Sequence, residues 1–159
     1  MVQLLKRLFP CLSVFDISSE GTDNYNCFAW AAGDSTARWE PTEGYYWPPG
    51  APREISVDAV IRAFEFLGYE ETTGDTLEPG YEKVAIFADA DGEPTHAARQ
   101  LENGGWTSKL GNYEDIEHDR LSELEGPKPC YGKVVRLLRR SRPTPVAGER
   151  QRTLSELPM

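Results

Sequence analysis

Near residue 80 the apolar residues stop recurring at helical spacing and begin to alternate. This change of period limits the possible folds more than any other feature of the chain. Before it, Val57, Val60, Ile61, Phe64 and Leu67 fall on one face of a helix that Ser56 caps and Gly68 ends. A shorter helix is expected over residues 24–33, with Asp23 or Asn24 as its cap and Gly33 as its stop. After the change, 82–89 reads as a strand, Asp91-Gly92 as a turn and 95–101 as a second strand. Asn103-Gly104 is a hairpin signal, and 106–110 is the returning strand. Residues 113–118 continue it or begin another, 121–124 form a helical turn, and 131–140 form a last strand rich in Val and Leu. Helices followed by an antiparallel meander define an α+β domain, with N-terminal helices packed on an antiparallel β-sheet.

The other segments fit around this frame. Residues 1–15 carry a basic pair, Lys6-Arg7, but Pro10 breaks the apolar stretch and Asp16 follows without a small-residue cleavage site. They read as a strand or turn lying on the core, not a secretion signal. Residues 34–55 are a loop of large rings, Pro and Gly, expected to fold onto the body, and 69–80 form an acidic connector. From Ser141 the apolar period is lost, so a single domain over 1–140 is expected to end in a flexible basic tail, 141–159.

Charge narrows the possible functions. A net charge of −9 argues against general nucleic-acid binding, which needs a cationic surface. No run is long enough to span a membrane. Cys11, Cys27 and Cys130 are too few and too widely spaced for a disulfide framework or a zinc site, so reduced thiols and a cytoplasmic location are expected.

Cys27, in Tyr25-Asn26-Cys27-Phe28-Ala29-Trp30, is placed in the first turn of the short helix. Backbone N–H groups and the positive end of the dipole there stabilise a thiolate and can hold an oxyanion. His96 stands on a strand beside the small residues Ala97 and Ala98, which leave room for a helix to pack closely. A thiol and an imidazole on separate rigid elements are the minimum for thiol-based acyl transfer. A third group should orient the imidazole. If Asn103-Gly104 is a two-residue turn, Glu102 faces Gly105 and His96 faces Gly111. Asp115 is then the leading orienter, with Ser108, Glu117 and His118 as rivals should the register slip by one. Asn26 is either an oxyanion donor or a helix cap. Trp30, Trp39, Tyr45, Tyr46 and Trp47 line a substrate cleft or pack the loop. Cys11 and Cys130 read as structural, and Asp89, Asp91 and Glu93 as a solvated turn and not a calcium loop.

This order of parts resembles the papain-like fold in its compact bacterial form, as in NlpC/P60-type cysteine peptidases and amidases. The runs Pro94-Thr95-His96-Ala97-Ala98, Ser108-Lys109-Leu110-Gly111 and Tyr131-Gly132 are also similar to a group of uncharacterised bacterial and phage domains with a His-Ala, Ser-Lys-x-Gly and Tyr-Gly series. The NlpC/P60 pattern Asp-Cys-Ser-Gly reads Asn26-Cys27-Phe28-Ala29 here. The resemblance implies Cys27 as nucleophile and His96 as base, with the third position open between Asp115 and Ser108. The expected activity is a thiol hydrolase or acyltransferase cleaving a peptide or other amide bond, with Asn26, Trp30, Trp47 and Ser108 at the substrate and no metal or organic cofactor. The alternative is a non-catalytic binding or regulatory module on the same scaffold.

Overall fold

The computed structural model of the chain describes residues 2–13 and 15–142, so the expected tail, 141–159, lies outside the described residues from 143 onward. Helix α1 (Val2–Leu8) leads into β1 (Phe15–Ser19), α2 (Cys27–Ala31), α3 (Val57–Glu65) and β2 (Glu70–Thr72). Then come β3 (Tyr81–Ala88), β4 (Pro94–Gln100), β5 (Trp106–Lys109), β6 (Asp115–His118), a 3-10 turn (Leu121–Leu124) and β7 (Lys133–Ser141). The seven strands form one sheet in the order β1-β6-β5-β4-β3-β7-β2. Every pairing in it is antiparallel.

Strand alternation divides the core between the two faces of this sheet. On one face Val84, Ile86, Ala97 and Leu138 pack against α2, α3 and the rings of Trp39 and Trp47. On the other, Ala85, Phe87, Ala98, Trp106 and Ile116 pack against Leu5, Phe9 and Leu12. The N-terminal segment is therefore a helix with a following turn, where a strand or turn on the core was expected. Leu5 is its fully buried contact, while Lys6 and Arg7 stay exposed.

Two helices end as their glycines require. Gly33 (φ +87°) follows α2, with its N–H on the Trp30 carbonyl and that of Asp34 on Ala29. Gly68 (φ +95°) follows α3 in the same way, with Tyr69 returning to Phe64. Ser56 caps α3, its hydroxyl accepting from the Ala59 N–H at 3.0 Å. The acidic connector is not all loop, because Glu70–Thr72 pairs with β7 at the sheet edge. Strand β7 runs through Ser141, so the domain extends past the boundary expected at 140.

The β4–β5 hairpin differs from expectation by one residue. Leu101 donates to the Gly105 carbonyl at 2.8 Å and Gly104 takes φ +90°, which makes a three-residue loop of Glu102, Asn103 and Gly104. Arg99 then pairs with Thr107 and Gln100 with Trp106, and the β4–β5 ladder goes no further. Below Arg99 the two strands diverge, and the start of α2 lies at this opening.

Candidate active site

Helix α2 begins at its thiol, and its cap is the residue before. Asn26, not Asp23 or Asn24, is the cap, and its Oδ1 accepts from the Ala29 N–H at 3.1 Å. The same Oδ1 accepts from the Trp39 N–H at 3.1 Å, and Nδ2 donates to the Trp39 carbonyl at 2.8 Å. Asn26 is thus a clamp between α2 and the aromatic loop, with one of its two Nδ2 hydrogens committed to Trp39. Cys27 is the first helical residue, so its own N–H and that of Phe28 precede the first intrahelical bond.

The sulfur sits where β4 and β5 part. Leu101 points its N–H toward β5, and alternate residues of an extended strand point the same way. The Ala97 N–H therefore also faces β5, beyond the last ladder pair, and it meets the Cys27 sulfur there. The N–H groups of Ala97, Phe28 and Cys27 and the Arg38 guanidinium all favour a thiolate, but burial outweighs them and pushes the thiol up to about 11. This corrects the expectation of a thiolate: the resting group is a neutral thiol.

His96, the neighbour of Ala97, is completely buried on the face covered by α1. Its ring stacks on Tyr131 at 4.1 Å and 4°, and meets Phe87 edge-on at 5.2 Å. Nε2 lies 3.0 Å from the Ser108 hydroxyl, which lies 2.8 Å from Nε2 of His118. His118 Nδ1 is 3.1 Å from the Arg120 carbonyl. Burial holds both imidazoles below their ordinary pKa of 6.5, His96 far below, so both are neutral. The direction of every proton follows. The Arg120 carbonyl only accepts, so His118 donates from Nδ1 and accepts at Nε2. Ser108 must then donate to His118 and accept from His96 Nε2–H. His96 is left with a bare lone pair on Nδ1, which is buried and has no hydrogen-bond partner among the described residues.

Asp115 does not orient His96. Its Oδ2 accepts from the hydroxyls of Tyr25 and Ser19, on the opposite side of the sheet, and Oδ1 is unpartnered among the described residues. The hairpin register is the reason. With the three-residue loop, His96, Ser108 and His118 share one face, while Thr107, Lys109 and Asp115 share the other. Glu117 is exposed.

A cleft of about 300 Å³ opens beside Cys27, walled by Phe28, Trp39, Trp47, Ile55 and Val60 with Arg38 on its polar side. Arg38 is ion-paired with Glu40 at 2.7 Å. Trp47 thus lies at the cleft. Trp30 does not: its Nε1 donates to the Thr107 hydroxyl at 2.9 Å and its ring stacks on Tyr25. Ser108 is sealed between the two histidines. A second, larger cavity of about 900 Å³ borders Cys11 and Cys130. Neither cavity has a described imidazole in its wall; the cleft at Cys27 is set apart by a thiol at a helix start with the Ala97, Phe28 and Cys27 N–H groups and Arg38 favouring its thiolate. The Tyr131-Gly132 pair has a steric cause, because a Cβ at Gly132 would lie 2.0 Å from the Ala88 carbonyl oxygen. No described helix is long and apolar enough to cross a membrane.

Residues 16–139 match the family described as a domain of unknown function, DUF7689, and the chain belongs to that family. No curated protein and no solved structure matches the chain.

Proposed function

We propose that the protein is a cysteine-dependent acyl hydrolase or transferase of papain-like, NlpC/P60-like design, acting on a peptide or other amide bond. The observation that carries this reading is the bare Nδ1 lone pair of His96, held in one tautomer by Ser108 and His118 on the residue next to the one that meets the Cys27 sulfur. A buried base with one nitrogen anchored and the other free is arranged to take a proton.

The chemistry begins from neutral partners. A substrate in the cleft brings its carbonyl carbon to Cys27, and Nδ1 of His96 takes the thiol proton as the S–C bond forms. The oxyanion lies toward the Cys27 and Phe28 N–H groups. His96 then returns the proton to the leaving nitrogen, the C–N bond breaks, and a thioester remains. Water or another acceptor attacks it with the same base. No metal or organic cofactor enters these steps. Asn26 caps the helix and also lines the cleft, within reach of a substrate there, while the buried Ser108 anchors His96.

One observation favours a second reading, a binding module that uses the cleft without chemistry: both the thiol and the imidazole rest uncharged. Exposed Tyr45, Tyr46 and Ile55 would widen its contact surface. Reaction with p-nitrophenyl acetate separates the two. Acyl transfer predicts a burst of nitrophenolate, one acetyl group on Cys27 by mass spectrometry, and acylation slowed about 100-fold or more in His96→Ala. Acetylation confined to Cys11, or at an unchanged rate in His96→Ala, would leave the binding module.

A further inference from the structure

Lys109 is the one residue of the Ser108-Lys109-Leu110-Gly111 run whose placement runs against its chemistry. Its exposure is 0 %, on the face that α2 covers. An ammonium has three N–H donors. Among the described residues its Nζ makes one hydrogen bond, to the Tyr113 carbonyl, and lies 5.4 Å from the centre of the Tyr25 ring. Asp115 is directly opposite on β6, yet no ion pair joins them, and Asp115 Oδ1 is itself buried without a partner. Burying a charge this way is unfavourable, because little here replaces the hydration it loses.

The register shows what it faces. Continued past Arg99↔Thr107, it sets Lys109 across the β4–β5 opening from Ala97, whose N–H meets the Cys27 sulfur. Tyr25, beneath the ammonium, is two residues before Cys27. We infer that Lys109 is the cation that stabilises the Cys27 thiolate as it forms, held over Tyr25 and across from Asp115.

The groups facing this pair are few. Asp115, Glu114 and a Cys27 thiolate favour the charged ammonium, while burial and Arg38 oppose it. A charge on the sulfur would be felt by Arg38, Lys109 and the Tyr131 phenol. Neither thiol nor imidazole favours charge separation alone. A fixed positive charge in a water-poor opening lowers the barrier to it.

The inference rests on the acyl-transfer reading only for its purpose, because thiolate formation is measured directly. Lys109→Met keeps the volume and removes the charge. Iodoacetamide labelling of Cys27 near neutral pH, followed by mass spectrometry, should slow about tenfold or more, the equivalent of one pKa unit. The melting temperature should hold or rise, because a buried charge has been removed. Lys109→Gln gives a second neutral variant should Met misfold. Labelling within about twofold of wild type in a folded variant overturns the inference, since one twofold step is far below the expected unit of pKa. A purely structural lysine would instead lower the melting temperature and leave labelling unchanged. Parallel p-nitrophenyl acetate reactions keep the two proposals apart. Slowed labelling without acylation in wild type retains Lys109 and removes the hydrolase; acylation with unchanged labelling does the reverse.

Discussion

His96 and His118 are neutral because they are buried, and this ties stability to pH. Their folded-state pKa values lie below the ordinary 6.5, so the unfolded chain binds more protons than the folded one below that pH. The contribution is intact above about 6.5 and is lost as pH falls, by up to about 1.4 kcal/mol per histidine for each pH unit until the folded pKa is reached. Glu123 and Asp119 face His118 and moderate its share, while among the described residues His118 is the titratable group that acts on His96. Urea midpoints should therefore fall between neutral pH and pH of about 5, with a shallower fall in His118→Gln. A flat profile in wild type would mean that the imidazoles are hydrated. Cys27 and His96 were legible in the sequence, because a thiol at a helix start and a histidine on a small-residue strand are local patterns. Ser108 and His118 were only rivals to Asp115, because one loop residue decides which side chains share a face. The neutral thiol was illegible, since it depends on burial by segments distant in sequence.

At the scale of elements, α2 is five residues long and is held by its ends instead of by its length. Asn26 makes three bonds, two from its Oδ1 and one from its Nδ2, and two of them go to Trp39 in the cleft wall. Asn26→Ala strands the Ala29 and Trp39 N–H groups and the Trp39 carbonyl, and should cost about 2 kcal/mol in urea unfolding. Because the clamp also fixes the wall, labelling of Cys27 should change in the same variant while that of Cys11 does not. A loss under about 0.5 kcal/mol, the scale of an ordinary surface substitution, would show that packing alone seats α2. The helix was visible from Gly33 and its apolar residues. Its start was read two or three residues early, because Asp23, Asn24 and Asn26 are all good caps and only the approach of Trp39 chooses among them. Strand β2 was hidden for a similar reason: Glu70-Glu71-Thr72 has no apolar alternation and pairs only because β7 offers an edge.

Across the whole molecule, the sheet separates two faces that the chemistry needs together. α2 and the cleft lie on one side, and the histidine relay is buried on the other beneath α1 and its turn. The opening between β4 and β5 is where the sides meet. The N-terminal segment precedes the matched residues 16–139, yet Phe9 packs on the Tyr131 ring at 5.3 Å, and Tyr131 in turn stacks on His96. Ser13 binds the buried Glu123 through both its N–H and its hydroxyl at 3.1 Å, which pins the segment to the turn beside His118. The first residues thus keep water from the base. The segment was legible as one that lies on the core, but Pro10, which breaks its apolar stretch, obscured the helix before it. Phe9→Ala should cost about 3 kcal/mol or more as a buried ring is lost. It should also let water reach His96 and raise its pKa toward 6.5, because burial is the main cause of the depression. Histidine titration followed by NMR reads that shift directly. An unmoved His96 in a destabilised Phe9→Ala would assign its dehydration to Tyr131 and Phe87 alone, with α1 acting on stability but not on the base.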